Sequence, residues 1–342
     1  MIRPGDVSAD HEMPSLPAAL VKQTLGGKVA LTLRRSCRRP VIARAAARLR
    51  ELEGPTPVPA DADVPRDVIL LPVGPREWDN LTDTLDSVAA YAPGARVVLC
   101  ADGANDLRRE AVARAWPDAV LLRGPHTSGG PPRLSPAIGW GYAWCRRHLR
   151  FDVLCKMDTD ALLTGPGLLE RAAQAFAADP ALGMVGTRPM RLGGQEGDTT
   201  YSRWVLAHEQ RWSPAVRRAV RAARAGGWAG EECHGGVYLL SRTAVQRLDD
   251  VGWLARNPPW WTLVGEDLWF SLGVAACGLR ISALPGRVII SGQRFVPLSD
   301  QQVLDEGVLA IHSVKAGFDG AGQDAVRAFF RAARARAGAG AR

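Results

Sequence analysis

The sequence predicts an α/β fold with a doubly wound, mostly parallel sheet. The apolar run Val68–Val73 has the length and composition of a buried parallel strand. Apolar residues at helical spacing follow in 81–91, and a second strand-like run, 95–102, comes directly afterwards. The alternation of helix and strand then continues, with short connections, through 106–116, 119–122, 135–149 and 152–157. Such alternation is typical of strands joined by right-handed crossovers, with helices on both faces of the sheet.

The composition is that of an ordinary globular protein. The chain has 342 residues, a formal net charge of +8, 46% hydrophobic and 23% charged residues. Its six cysteines are scattered, without a Cys-x-x-Cys pair, so they favour a reducing cytoplasm over a zinc site. No apolar run approaches the ~20 residues of a membrane span, and the first residues lack the pattern of a secretory signal. We therefore expect a soluble, cytoplasmic protein.

We divide the chain into three parts: an N-terminal extension (1–66), a central domain (67–318) and an Ala/Arg-rich tail (319–342) predicted to be a fraying helix. The extension carries only basic charges between Leu20 and Arg50, and it ends in a Pro-rich linker. A solvated arm, or a helix packed on the central domain, is the simpler interpretation. Peripheral contact with a membrane surface is the alternative. The abundance of Ala and Arg is typical of bacterial proteins.

Two carboxylates follow the strand at 152–157. They are Asp158 and Asp160, one residue apart at the strand's carboxyl end. Ligands of open α/β sheets bind beyond this end of the strands. A hard divalent cation takes oxygen ligands and leaves places for water and substrate phosphates. The pair therefore suits a metal site, although an Asp-Thr-Asp turn is an equally ordinary structural explanation.

Three further motifs follow along the chain. Gly235-Gly236 stands directly before an apolar strand, where glycine permits either a bend or close approach to a ligand. Glu266-Asp267 opens a predicted helix, where the acids either stabilise the helix N-terminus or supply a general base. Late in the chain, His312 ends a short apolar strand and is followed by Lys315, a combination that suits a metal and a phosphate. Each motif alone has a structural explanation.

In this order, the motifs resemble those of the GT-A fold of nucleotide-sugar glycosyltransferases, a Rossmann-like fold, over residues 67–317. The segment 70–73 followed by 100–106 is similar to the opening of the family-two enzymes, whose second strand usually ends Asp-Asp-Gly-Ser. Here Ala101 replaces the first of those acids. Gly235–Arg242, followed by Glu266-Asp267, is similar to the β-1,3-galactosyltransferase and Fringe-type enzymes.

The resemblance implies a metal centre and a donor site. Asp160 would bind a divalent cation, Mn²⁺ or Mg²⁺, directly; His312 would complete the shell, and Asp158 would contact the metal or the donor ribose. The donor is expected to be a nucleoside-diphosphate sugar, with a UDP-sugar favoured. The remaining residues assigned to the donor are Asp102 for the nucleobase or ribose, Lys315 for the diphosphate, and Arg133 and Pro72.

The resemblance also implies the acceptor side. Gly235 and Gly236 would form the floor between donor and acceptor, and Trp260 and Trp261 would contact the acceptor, whose identity the sequence leaves open. Asp267 would act as general base, with Glu266 as the substitute candidate. Displacement in a single step would invert the anomeric centre, although retention stays open. The implied activity is hexosyltransferase-like.

Three other classes of protein fit the sequence less well. A nucleotidyltransferase shares the α/β plan, but it is expected to carry a Gly-rich phosphate loop after the first strand, where residues 74–79 contain one glycine. A non-catalytic sugar- or nucleotide-binding protein on a transferase fold predicts that the acids have been lost, whereas they are present. A nucleic-acid binder is disfavoured, because no zinc-finger, RNP or heptad pattern accompanies the basic charge.

Overall fold

Ten strands build the centre of the protein in a computed structural model, which describes residues 58–74, 78–101, 109–123, 131–187, 200–256, 262–291, 298–315, 317 and 320–340. In chain order they are β1 (Val68–Val73), β2 (Arg96–Ala101), β3 (Val120–Arg123), β4 (Val153–Met157), β5 (Leu162–Leu163), β6 (Leu182–Gly186), β7 (Val237–Ser241), β8 (Arg280–Ala283), β9 (Ile289–Ser291) and β10 (Ala310–His312). Seven of them form one sheet in the order β3-β2-β1-β4-β7-β6-β8. All neighbours in this sheet are parallel except β7, which is antiparallel to both β4 and β6.

Helices cover both faces of this sheet. In chain order they are α1 (Trp78–Tyr91), α2 (Arg109–Ala115), α3 (Pro131–His148), α4 (Leu168–Ala178), α5 (Thr200–Trp212), α6 (Pro214–Ala225), α7 (Arg242–Asp250), α8 (Glu266–Ala276), α9 (Asp300–Asp305) and α10 (Gln323–Gly340). None of these helices, within the described ranges, is long and apolar enough to cross a bilayer.

The apolar runs recognised in the sequence form a two-sided core. Alternate residues of β1 point to opposite faces: Leu70 packs in the cluster with α3, α6 and α8, whereas Ile69 packs in the cluster with α1 and α4. Both side chains are fully buried. A continuous apolar strand is what a sheet covered on both faces requires. The predicted fold class, an α/β, mostly parallel sheet flanked by helices, is confirmed.

The antiparallel strand β7 places the Gly-Gly motif beside the Asp-x-Asp motif. Lys156 on β4 pairs with Tyr238 on β7, and Met157 pairs with Val237. Because the strands run in opposite directions, β7 begins where β4 ends. The Asp158 N–H donates a hydrogen bond of 2.9 Å to the carbonyl oxygen of Gly236, continuing the ladder past the ends of both strands.

A three-stranded sheet, in the order β5-β10-β9, brings the late histidine to the same place. Strand β5 follows Asp160 almost directly, and it pairs with β10 in antiparallel register, Leu162 opposite Ile311. The next residue of β10, His312, therefore lies level with the segment that joins the two acids to β5. The backbone N–H of Val314 also donates to the Asp160 carbonyl oxygen, over 3.0 Å.

Helix α10 holds the turn between the two acids. Its Arg327 pairs with Asp83 of α1 over 2.8 Å and donates a second hydrogen bond of 3.1 Å to the carbonyl oxygen of Thr159. The Thr84 hydroxyl donates to the same carbonyl over 2.8 Å. Thr159 is the residue between Asp158 and Asp160, so two distant helices fix the backbone of the Asp-x-Asp motif.

The chain divides into two units, Met1–Leu52 and Glu53–Arg342. The first unit, with most of the predicted basic extension, lies outside the described residues. The boundaries at residues 66 and 318, the membrane contact of the extension and the cytoplasmic location therefore stay predictions. The predicted tail contains α10.

Replacing Arg327 by Ala should destabilise the protein by about 2 kcal/mol or more, because the Arg327 side chain is only 3% exposed and its loss removes charged hydrogen bonds to Asp83 and to the carbonyl oxygen of Thr159, while Arg334 still pairs with Asp83. Arg331→Ala is the matched control, because Arg331 lies on the same helix, 3.8 Å from the same carboxylate, but is 51% exposed. The control should lose less than about 1 kcal/mol. Urea denaturation measures both, and equal losses would contradict the assignment.

Candidate active site

The three residues predicted to bind a metal lie together. The Nε2 atom of His312 is 3.1 Å from Oδ1 of Asp160 and 3.7 Å from Oδ2 of Asp158. One ligand atom from each residue lies within 4.8 Å of the others. Two carboxylates and an imidazole are a donor set that Mn²⁺ accepts, and the mutual spacing leaves room for one cation. The side chains of His312, Asp160 and Asp158 are 12%, 12% and 25% exposed, so further ligands of a bound cation can reach this position.

The residues after His312 complete the surroundings of Asp160. Lys315 Nζ lies 2.8 Å from Oδ2 of Asp160, and the Ser313 hydroxyl donates to the same oxygen over 3.3 Å. Burial raises the pKa of the Asp160 carboxyl, but the hydrogen bonds and charges of His312 and Lys315 outweigh it and hold the pKa below its usual range. Asp160 is therefore ionised at neutral pH, the form that a cation requires.

The two glycines are required by space. A Cβ atom at Gly236 would overlap the His312 ring, and one at Gly235 would lie 2.8 Å from Oε1 of Glu266 and 3.1 Å from Oδ2 of Asp267. The backbone thus runs between the histidine on one side and the acid pair on the other. The space at both glycines is thus taken by the protein's own side chains, and close approach to a ligand stays a prediction.

The acid pair begins helix α8. Glu266 is buried, whereas Asp267 is partly exposed. The Gly235 N–H donates to Oδ2 of Asp267 over 3.1 Å, and the Leu268 N–H donates to Oδ1 over 2.8 Å. Burial, followed by repulsion from Glu266 and Glu232, raises the pKa of Asp267 to about 8. A carboxyl group with this pKa exchanges a proton readily near neutral pH, as a general base must.

Lys156 connects the metal ligands to the acid pair. Its side chain is fully buried, and Nζ lies 2.7 Å from Oδ1 of Asp158 and 3.0 Å from Oε1 of Glu266. It also donates to the carbonyl oxygen of Gly235. Burial alone would lower the pKa of Lys156, but the charges of Asp158 and Glu266 outweigh it and raise the pKa above the ordinary lysine value.

Sequence reasoning assigned no role to two residues at this site. Lys156 had a recognisable signal, because it is a charged residue inside the apolar strand Val153–Met157. His234 had none beyond its place before the glycines. Burial, and then the charge of His312, lowers the pKa of the His234 imidazole to about 4, so this histidine is neutral at physiological pH.

Five other residues are predicted for the donor and acceptor sites. Pro72 lies buried in β1, and Arg133 lies in the first turn of α3, with its side chain outside the described residues. Asp102, Trp260 and Trp261 also fall outside them. The donor and acceptor roles of all five residues stay predictions.

Comparison with known proteins returns structures and no sequence relatives. No protein-family model matches the chain, and no curated protein matches it by sequence. A mannosyltransferase from Pyrobaculum calidifontis, in complex with GDP-Man and Mn²⁺, is 17% identical with a TM-score of 0.42, over 84% of this chain and 68% of that one. The WbbM bifunctional glycosyltransferase is 11% identical with a TM-score of 0.47, over 80% of this chain and 51% of that one.

A third solved structure is glucosyl-3-phosphoglycerate synthase from Mycobacterium tuberculosis with Mn²⁺, UDP and glucosyl-3-phosphoglycerate. It is 16% identical with a TM-score of 0.39, over 64% of this chain and 70% of that one. At these identities and TM-scores, function has to be inferred from this chain's own residues. This chain itself has the mostly parallel sheet predicted from its sequence, with one antiparallel strand and an Asp-x-Asp motif where β4 ends, within the residues that the structure describes.

Replacing Asp267 by Asn should change how the stability depends on pH. Folding raises the pKa of this carboxyl from 3.8 to about 8, so the folded state holds the proton more tightly than the unfolded chain does. By linkage, the contribution of Asp267 to the free energy of unfolding is fully present below about pH 4 and is lost as the pH rises to about 8. The amide does not titrate, so the stability of Asp267→Asn relative to the wild type should increase across that window. Urea denaturation at several pH values measures this, and parallel profiles would contradict the raised pKa.

Proposed function

We propose that this protein is a metal-dependent glycosyltransferase that moves a sugar from a nucleoside-diphosphate sugar to an acceptor hydroxyl. The observation that carries the proposal is the placement of Asp158, Asp160 and His312 within 4.8 Å of one another at the carboxyl end of β4. That is where an α/β sheet binds its ligands. A partly exposed acid with a raised pKa, Asp267, lies across Gly235 from these ligands.

The side chains of the proposed ligands support a divalent cation at this site. Asp158, Asp160 and His312 would hold Mn²⁺ or Mg²⁺, which, when bound, offsets the negative charge of a diphosphate leaving group. Lys315 would add a second positive charge, because its side chain is 63% exposed and its ammonium group lies 2.8 Å from Asp160, at the edge of the metal position. A cationic side chain here can contact the diphosphate and stabilise it as it departs.

Asp267 is the proposed general base. Displacement at an anomeric carbon passes through an oxocarbenium-like state, and the acceptor hydroxyl must lose its proton as the new bond forms. Asp267 has a pKa near the working pH and partial exposure, whereas Glu266 is buried and engaged by Lys156. A single displacement assisted by one base inverts the anomeric centre, and we propose inversion.

The finer assignments follow the sequence. We propose that the donor is a UDP-sugar and that the transferred group is a hexosyl group. We also propose that Trp260 or Trp261 contacts the acceptor, because an aromatic face can stack on a sugar ring. Gly235 and Gly236 would form the floor between the two substrates. A non-catalytic, sugar-binding role is the alternative, and a complete ligand trio beside an acid with a raised pKa argues against it.

The donor site can be tested by ligand-induced stabilisation. A ligand that binds only the folded protein raises the melting temperature by an amount that grows with its affinity. We expect UDP or a UDP-sugar to raise Tm with Mn²⁺ present and not without it, and we expect Asp160→Ala to abolish the shift. Asp305→Asn, at the end of α9, serves as the control and should keep it. If no nucleoside diphosphate shifts Tm in the presence of metal, the proposal is wrong.

The base can be tested without knowing the acceptor, by measuring release of nucleoside diphosphate from the donor with water as acceptor. Asp267→Asn should lower kcat by roughly 10²- to 10⁴-fold, the usual contribution of a general base, while the Tm shift given by UDP and Mn²⁺ persists. The wild-type rate should rise with pH until about pH 8, where Asp267 becomes ionised. An unchanged kcat in the variant would remove Asp267 from this role.

A further inference from the structure

A lysine is an unexpected residue at the centre of a buried strand. Lys156 is 0% exposed, and its neighbours on β4, Cys155 and Met157, are buried in the apolar core. Replacing a buried ion pair by apolar residues of similar volume is often neutral or stabilising. The strand would therefore form with an apolar residue at this position, and the charge of Lys156 requires an explanation other than stability.

The contacts of Lys156 point to the metal site first. Its ammonium group lies 2.7 Å from Oδ1 of Asp158, while the other oxygen, Oδ2, faces His312 at 3.7 Å. A carboxylate can rotate about its Cβ–Cγ bond, and a hydrogen bond to one oxygen fixes that rotation. Losing a group that orients a metal ligand in this way typically lowers metal affinity by roughly 10- to 100-fold.

The same ammonium group also reaches the acid pair. It lies 3.0 Å from Oε1 of Glu266 and donates to the Gly235 carbonyl oxygen, whereas Asp267 accepts its hydrogen bonds from the backbone N–H groups of Gly235 and Leu268. Two adjacent acids thus receive different partners. Glu266 is buried and paired with a cation, whereas Asp267 is the acid that remains partly exposed.

We propose that Lys156 is a positioning residue for both halves of the site. It fixes Asp158 so that Oδ2 faces the cation, and it holds Glu266 away from the acceptor so that Asp267 receives the proton. This inference rests on the proposed function and adds a residue that links the metal ligands to the base. It requires no movement, because one buried side chain contacts Asp158 and Glu266 at once.

The test is Mn²⁺ affinity, measured by titration calorimetry with the metal alone on the full chain. We expect Lys156→Met to weaken Mn²⁺ binding by roughly 10- to 100-fold, the usual effect of losing a group that orients a ligand. Glu266→Gln is the matched control: it removes a different partner of the same lysine and leaves the contact between Lys156 and Asp158, so its Kd should stay within about threefold of the wild type.

Because Lys156→Met leaves the buried Glu266 without its cation, it can fail to fold. The double variant Lys156→Met/Glu266→Gln removes both charges, should recover stability, and should keep the weakened Mn²⁺ binding. Wild-type affinity in either folded variant would overturn the inference and leave the proposed function intact. Failure of the wild-type protein to bind Mn²⁺ would instead contradict the proposed metal centre.

A second readout tests the link to the base. In the wild-type background, Asp267→Asn should lower donor hydrolysis far more than Glu266→Gln does. In a Lys156→Met background, Glu266 is no longer paired with the lysine and can accept the proton of the acceptor. The losses of donor hydrolysis caused by Asp267→Asn and by Glu266→Gln should therefore differ less. A purely structural lysine would leave the ratio of the two effects unchanged, and that result would also overturn the inference.

Discussion

Four carboxylates converge where β4 ends and β7 begins, and their mutual repulsion is the constraint that the rest of the site satisfies. The carboxylate of Asp160 is paired with His312 and Lys315, and the carboxylate of Asp158 is paired with Lys156. The carboxylate of Glu266 is paired with the same lysine, Lys156. Asp267 receives hydrogen bonds from backbone amides only, among the contacts described, and its raised pKa reflects burial together with repulsion from Glu266 and Glu232 that the charge of Lys156 offsets only in part. The cations therefore lie against Asp160, Asp158 and Glu266, and Asp267 is the acid held by backbone amides.

The topology explains why so many acids meet. In an all-parallel sheet, the strand after β4 would begin at the opposite edge, and the Gly-Gly motif would lie far from Asp158. The reversed strand β7 removes that distance, and the small sheet of β5, β9 and β10 returns His312 to the same edge. Residues separated by more than one hundred positions in the chain thus share one hydrogen-bonded cluster.

Much of the fold was predictable from the sequence, because buried strands have a distinctive composition and helices a distinctive spacing. The trio of Asp158, Asp160 and His312 was also predictable, through the order of motifs that a resemblance supplied. The partners of Lys156 were not, since they depend on the register between β4 and β7 and on the approach of α8. Nor could the sequence indicate that Arg327, in an Ala/Arg-rich helix of ordinary appearance, would contact the carbonyl of Thr159. Such contacts join residues that are far apart in the sequence, and no local sequence pattern indicates them.

Helix α10 has a consequence for how the protein opens below its melting temperature. The turn between Asp158 and Asp160 is held by α10, through a residue 168 positions away in sequence, and by Thr84 of α1. Transient detachment of α10 would therefore remove one of the two side chains that hold this turn while the central sheet stays intact. Proteins open in such units, at free energies below that of global unfolding. The order of the turn that carries both acids would then depend on this partial opening as well as on the stability of the whole domain.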